Sequence, residues 1–535
     1  MNKQLFLLLG CATALAANPE HVTFTYMGSP STSLTANWQH INSANLDSIN
    51  EAIVYYDTKP RGGKLDQYQF STSGEIHSID GLNDRVVGRV NMEGLKPATT
   101  YYIVVGSETG GISEELAVRT IPSDDRPLRF VSGGDMGISE EAHQLLKHAA
   151  SYDPDFVIIG GDIAYANGDL NSVRNWDIWF NRYTESMRTS DGRTVPLVLA
   201  IGNHEVPNDG SGRKDAPFYF GFFGQDDANS YYKREFGANL GMIVLDTGHT
   251  TPHEAQVDWI DASLDQLSDK THTLAVYHVP FFPSAREYMS PNSVKGRELW
   301  APIFDKHNLS FAIENHDHSF KRSHPMKGAE PATDGIGTVH IGDGCWGTSA
   351  RPIEYNGRPY LAKSGSIQHF WVVDVSSESI QWRALDIQNR VFDVYPANGS
   401  EAEQADAVFA SIEQTYLLPR GFAKLEPIQV ASKLWTGGNT SLHLKNVMDG
   451  PVSIRFKART PDQRFAMIGL PKDNIKLSPG ESAELPLEIK AMEEILQPLK
   501  KLSAAVVLDV ELQGTEGSAN ANFKSIIRLP FKRQR

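Results

Sequence analysis

Seven side chains able to hold a metal ion fall at or just past the ends of apolar runs in the middle of this chain. Asp162 follows "FVIIGG", and Tyr165 lies three residues further on in "GGDIAYANG". Asp135 follows "RFVSGG", Asn203 follows "LVLAIG" with His204 beside it, His278 closes "TLAVYH", and His316 and His318 follow "FAIEN". Taken singly, each has an ordinary reading: a Gly-Asp pair is a turn, a tyrosine after a strand is a packed aromatic, and a histidine in an α/β domain is structural. Together they are a donor set. The two oxygens of Asp162 can bridge two ions, while Asp135 and a phenolate at Tyr165 are hard anionic donors suited to a trivalent ion. Asn203 offers a neutral oxygen, and the histidines supply nitrogen for iron, zinc or manganese. Two adjacent ions can clamp the attacking and leaving oxygens of a displacement at phosphorus and make bound water acidic.

Such residues converge only if the runs that carry them are neighbouring strands. Residues 127–395 alternate short apolar runs with helical patterns, which predicts an α/β layered domain with ligands at the carboxyl ends of its strands. "SEEAHQLLKHAA" has Ser139 as N-cap and two glutamates in its first turn. "HEAQVDWIDASLDQLSD" puts Val257, Ile260, Leu264 and Leu267 on one helical face. "HFWVVDVSSESIQWRALD" reads as an antiparallel hairpin, so mixed sheets are expected. Residues 21–122 read as an all-β module, whose "GLKPATTYYIVVGSETGGIS" resembles the closing strands of a fibronectin type III domain. Residues 424–535 return to strands without helical period, a small β-sandwich, after a connector at 396–423.

The runs "GDMG" (134–137), "GDIAY" (161–165), "GNHE" (202–205), "VYHVP" (276–280) and "NHDHSFKRS" (315–323) resemble, in order, the five motifs of the calcineurin-like metallophosphoesterases. Tyr165 narrows the resemblance to the purple acid phosphatases, whose larger members also carry an N-terminal fibronectin-like domain. The resemblance implies an αββα sandwich for the catalytic domain and a centre of Fe(III) plus a divalent ion, Zn, Mn or Fe. By motif, Asp135, Tyr165 and His318 would bind the ferric ion, and Asn203, His278 and His316 the divalent one. Asp162 would bridge the two, and His204 would touch the phosphate or leaving group as the catalytic histidine. The expected reaction is hydrolysis of phosphate monoesters by attack of a metal-bound hydroxide. Two departures stand out: Asn315 replaces the usual glycine, and "FFPSAREYMSPNS" lacks the histidine pair of plant members. Arg286 in that stretch can orient phosphate but cannot act as a proton donor. A phosphodiesterase or nucleotide hydrolase on the same centre therefore stays open, as does a surface-binding protein with a relict site.

The remaining bounds agree with an exported enzyme. The chain has 535 residues and a net charge of −15, which argues against a nucleic-acid scaffold. "MNKQLFLLLGCATALAANPE" reads as a signal peptide cleaved after Ala16, giving a secreted or periplasmic protein. Leu8-Leu9-Gly10-Cys11 gives a lipoprotein site as the lesser alternative. No apolar run is long enough to span a bilayer. Cys345, alone after cleavage, reads as a small packed residue, since no base partner is evident beside it. The expected partner is a phosphate ester, with a carbohydrate or surface contact through the β-modules.

Overall fold

The computed structural model describes residues 18–42, 46–107, 110–207, 212–226, 228–354, 358–430, 434–448, 450–459, 465–496, 507–514, 521–525 and 531–533. The predicted signal peptide, 1–16, lies outside them. The chain divides into two compact units: residues up to His278 with Trp371–Gln381, and Val279–Phe370 with the residues from Trp382 onward.

The first unit opens with two antiparallel sheets. In one, Glu20–Thr25, Leu34–Ile41, Arg85–Met92 and Glu75–His77 are neighbours in that order. In the other, Ile53–Asp57 pairs with Phe70–Ser73 and with Thr100–Ser107. Alternation is the cause at the end of Arg85–Met92: Val90 and Met92 are fully buried while Arg89 and Asn91 are only partly so.

The strands that carry site residues follow. Leu128–Gly133 pairs in parallel with Phe156–Ile159, which pairs in parallel with Leu197–Leu199. Trp371–Val375 runs antiparallel along Leu128–Ser132, so the sheet is mixed, as expected. Phe156–Ile159 is buried throughout, the pattern of a strand covered on both faces. A second set joins Tyr232–Phe236 antiparallel to Leu240–Val244, and the latter parallel to His272–Val276. Helix Glu140–Ala150 starts where the sequence places it, with Ser139 Oγ accepting from Ala142 N at 3.1 Å. In helix Val257–Gln266 and its cap, Ile260, Leu264 and Leu267 are buried and Val257 is half-buried. Helix Val173–Ser186 turns Trp176, Trp179 and Phe180 into a cluster with Phe218, Phe222 and Phe223. Aromatic pairs of this kind add ~0.5–1.5 kcal/mol each beyond burial, and they fix the segment that leads away from "GNHE".

In the second unit, Phe311–Ile313 pairs in parallel with Thr338–Gly342, which pairs antiparallel with Phe320–Lys327. The C-terminal region is strand-rich. Leu434–Lys445 and Ser482–Leu496 form one long antiparallel pair, and Val452–Arg459 pairs with Val507–Gly514 in a second sheet. Leu442, Leu444, Leu487 and Ile489 from the first sheet share one apolar core with Ile454, Phe456, Val510 and Leu512 from the second. Two sheets closing on one core is sandwich packing. Among the described residues no helix is long and apolar enough to cross a membrane.

Candidate metal centre

The first two loops are joined by backbone. Asp135 N donates to Gly161 O at 3.0 Å, Met136 N to Asp162 O at 3.1 Å, and Gly137 N to Ile163 O at 2.9 Å. This ladder continues the parallel pairing past the strand ends and brings Asp135 and Asp162 side by side. The approach is close enough to require glycine at two positions. Gly161 has φ +94°, and a Cβ there would lie 2.8 Å from both Gly202 Cα and His278 Nδ1. A Cβ on Gly202 would lie 2.3 Å from Asp162 Oδ1.

Asp135, Asp162 and Tyr165 take left-handed backbone, with φ of 51°, 53° and 57°. Such conformations in side chains other than glycine persist where the surroundings over-determine them, commonly at functional sites. At Asp162 the determinant is a residue that sequence reasoning left without a role. Glu205, 1% exposed, accepts from Asp162 N and Gly202 N on Oε2 and from Ile163 N on Oε1, all at 2.8 Å. One carboxylate thus ties "GDIAY" to "GNHE". Its place inside the latter motif was the available signal.

Around Asp162 the side chains converge. Its carboxylate lies within 4.8 Å of ligand atoms of both Asp135 and His278. His278 Nδ1 is 2.9 Å from Gly160 O, an atom that can only accept, so Nδ1 carries the proton. In the neutral ring Nε2 then has the lone pair a metal would take; it lies 3.1 Å from Asn203 Oδ1 and 3.3 Å from Asp162 Oδ1. A metal-binding histidine is oriented in this way, through its other nitrogen. Tyr165 Oη is 3.3 Å from Asp135 Oδ1. His204 donates its backbone N–H to Asp162 Oδ1 at 2.8 Å, and its ring lies 4.2 Å from that of Tyr165. Its Nδ1 donates to Asn167 Oδ1, which turns Nε2 toward Asp162 Oδ2, 3.8 Å away.

The electrostatics describe a cation site. Burial pushes the Asp162 carboxyl up, but His278 and His204 outweigh it and hold it well below the carboxylate range. Burial disfavours a charged His278, yet Asp162 and Asp135 raise it to about 10, so a metal taking Nε2 would displace a proton held there. Burial, Asp135 and Asp162 push the Tyr165 phenol far above its ordinary value. Asp162 Oδ2 is buried and has no hydrogen-bond partner. Two buried carboxylates with an unsatisfied oxygen, an imidazole oriented through its Nδ1, an amide oxygen and a phenol fit hard or borderline metal ions. Only such an ion supplies the charge that would release the Tyr165 proton. His249, also unassigned from sequence, packs 5.7 Å from His278 and is lowered to about 4 by burial, so it is neutral.

In the second unit, His316, His318 and Arg286 gather on one buried acid. An i, i+2 spacing would by itself suit an extended segment. Instead both take left-handed backbone, φ 77° and 55°, across a turn in which Asp317 N donates to Asn315 O at 3.0 Å. Asp317, fully buried between them, accepts from Ala285 N at 2.7 Å and Arg286 N at 3.1 Å. The Arg286 Nε is 3.3 Å from His316 O and 3.5 Å from Asp317 Oδ1. Asp317 thus fixes the stretch that replaces the expected histidine pair, a role that no sequence motif announced. Cys345 is buried, its Sγ 3.4 Å from Thr348 O.

Comparison with known proteins gives the family. The family described as purple acid phosphatase, N-terminal domain, matches residues 19–120, and the calcineurin-like phosphoesterase family matches residues 129–320. A probable purple acid phosphatase 20 of Arabidopsis thaliana is 26% identical over 356 residues, 63% of this chain and 78% of that protein. An uncharacterized protein of Mycobacterium tuberculosis is 23% identical over 414 residues, 64% of this chain and 75% of that protein. Among solved structures, purple acid phosphatase PPD1 from yellow lupin (Lupinus luteus) seeds aligns with a TM-score of 0.59 at 17% identity, over 71% of this chain and 74% of that one. PhoD aligns with a TM-score of 0.54 at 13% identity, over 71% and 89%. Both share the fold.

Proposed function

From the membership of this chain in the calcineurin-like phosphoesterases, on the purple acid phosphatase branch, we propose that it is an exported binuclear metallophosphatase acting on phosphate monoesters. The observation that carries the reading is the convergence of Asp135, Tyr165, Asn203 and His278 on the buried carboxylate of Asp162. Asp135, Tyr165 and His318 would hold Fe(III), Asn203, His278 and His316 a divalent Zn, Mn or Fe, and Asp162 both ions. The match of a single phosphoesterase family across residues 129–320 supports including the two later histidines. When bound, the ions supply Lewis-acid polarisation of phosphoryl oxygens and lower the pKa of water.

The chain's own residues supply the rest. His204 has its Nδ1 proton engaged by Asn167, so a proton on Nε2 is the one it can give to a departing alkoxide. Packing of its ring against that of Tyr165, tilted by 31° at 4.2 Å, holds it in that direction. Arg286, anchored through Asp317, offers its guanidinium to a phosphoryl oxygen. The N-terminal "MNKQLFLLLGCATALAANPE" supports export.

The test is metal content, visible absorption and turnover of 4-nitrophenyl phosphate by the purified protein. Iron with a second metal, a violet colour and monoester turnover are expected. A fully loaded, colourless protein containing only zinc would remove the ferric assignment. A second reading, phosphodiester hydrolysis, is favoured by Arg286, a fixed charge that tolerates an esterified phosphate. Faster turnover of bis(4-nitrophenyl) phosphate than of the monoester would select it.

A further inference from the structure

Next to the His204 loop the first unit holds a cavity of about 660 Å³, to which the N-terminal β-domain and the phosphoesterase region both contribute walls. Its volume is within the ~300–1,000 Å³ of small-molecule sites. On one side stand Ser78, Ile79 and Asp80; on the other, Gly168, Leu170 and the stretch from Arg213 to Gly221. The walls are fixed to each other. His77 Nε2 is 2.8 Å from Gly221 O, and Arg89 donates to Phe220 O at 3.0 Å and Gly221 O at 3.1 Å. Side chains meet there without slack, since a Cβ on Gly221 would come within 2.6 Å of Ile79 Cδ1.

The cavity begins where the proposed phosphate site ends. Asn167 N donates to His204 O at 2.8 Å, and its side chain accepts from His204 Nδ1. Gly168, the next residue, lines the cavity. It is pressed against Pro207 and Asp215 so closely that a Cβ would lie 2.8 Å and 2.7 Å from them. One peptide step, about 3.8 Å, thus separates the residue that holds His204 from the cavity wall.

The lining has two characters. Ile79, Leu170, Pro217 and Phe220 give an apolar body. Among the described lining residues, Arg213 and Lys214 are two exposed cations against one carboxylate, Asp80. The Arg213 guanidinium lies over the Phe220 ring at 3.8 Å, which orients its charge. An apolar floor under a net positive wall suits a group that is itself ring-like or apolar and negatively charged.

We propose that this cavity is a leaving-group subsite, selecting phosphate esters or anhydrides whose departing half has a ring or apolar body and an anionic group of its own. The N-terminal domain thereby takes part in substrate selection. The proposal rests on the phosphohydrolase reading above. Adenosine diphosphate is the probe: water oxygen bonds to the terminal phosphorus, the bridging P–O bond breaks, and AMP, orthophosphate and one proton are released.

The experiment measures kcat/KM for adenosine diphosphate and for 4-nitrophenyl phosphate, whose leaving group is too short to fill the cavity. Wild type is compared with Lys214→Glu, Arg213→Ala and Ser78→Trp, the last obstructing the cavity from the N-terminal domain. The ratio of the two specificity constants should fall about 3- to 10-fold in each, as expected for losing or reversing an exposed charge contact or for filling the space. The fall should lie in KM for the diphosphate. An unchanged ratio in all three variants overturns the subsite. Absence of turnover on 4-nitrophenyl phosphate by metal-loaded wild type would instead overturn the phosphohydrolase reading itself.

Discussion

Replacing Glu205 by glutamine removes one negative oxygen and leaves the side chain's shape. The carboxylate accepts three backbone N–H groups, two on Oε2 and one on Oε1. A glutamine has one carbonyl oxygen. Its best orientation keeps the pair from Asp162 and Gly202 and turns its NH₂ against the N–H of Ile163. One buried donor is then unsatisfied and opposed by another, a cost of about 1–3 kcal/mol. For a cooperative unit of a few hundred residues that is roughly 2–12 °C in apparent Tm. Because the displaced backbone carries Asp162, the same change should loosen metal retention. Differential scanning calorimetry at a fixed scan rate, with metal analysis after desalting, reads both effects. An apparent Tm within about 1 °C of wild type, with full metal content, would refute the idea that Glu205 holds the two motifs together. Glu205→Ala, which strands three donors, should be worse than the glutamine variant in both measurements.

The pH dependence of the same pair has a definite sign. Burial and Asp162 push Glu205 from its ordinary 4.5 up to about 7, so in chelator-treated protein ionising it costs stability, a cost absent below pH 4.5 and growing as pH rises toward 7. The gap between wild type and Glu205→Gln should therefore narrow across that interval in denaturant titrations; a gap that widens contradicts it. Gly202→Ala should lose metal and activity together, since the new methyl meets Asp162 Oδ1 at 2.3 Å; a fully loaded variant would show that the loop gives way. Tyr165→Phe should abolish the visible band while the protein stays folded by circular dichroism. His204→Ala should keep metal and colour but lower kcat ~10²–10⁴-fold, more for alkyl phosphates than for 4-nitrophenyl phosphate; equal losses would assign it to positioning. Asp317→Asn should raise KM for phosphate esters by freeing the stretch that carries Arg286, with Arg286→Ala showing the same KM; unlike effects would separate the two residues.

The strands and the donor set were legible because they are written locally. Alternation and apolar runs report burial, and five short motifs place Asp135, Asp162, Tyr165, Asn203, His278, His316 and His318 at strand ends. The residues that hold those donors in place were not. Glu205 and Asp317 act on backbone N–H groups 31–43 positions away, and no side-chain pattern marks a long-range bond to backbone. The left-handed turn through His316 and His318 was missed for a related reason. An i, i+2 pair suggests an extended segment, whereas the conformation here goes with the Asp317-to-Asn315 bond between them. The cavity beside Gly168 was equally invisible, since it needs Ser78–Asp80 and Arg213–Gly221 brought together from sequence stretches more than a hundred residues apart.

The ladder from Asp135, Met136 and Gly137 to Gly161, Asp162 and Ile163 is made of backbone bonds that owe nothing to an ion. Zinc fingers form their fold as they take up metal, so their binding energy is consumed by ordering the chain. Here the donors are already held, so most of the coordination energy is left to appear as affinity. Ions should therefore be exchangeable in the native state: stripped with a chelator under mild conditions, the folded protein should take up a different divalent cation without passing through an unfolded chain. The identity of the second metal would then follow supply in the compartment where the protein is loaded as much as the preference of its ligands.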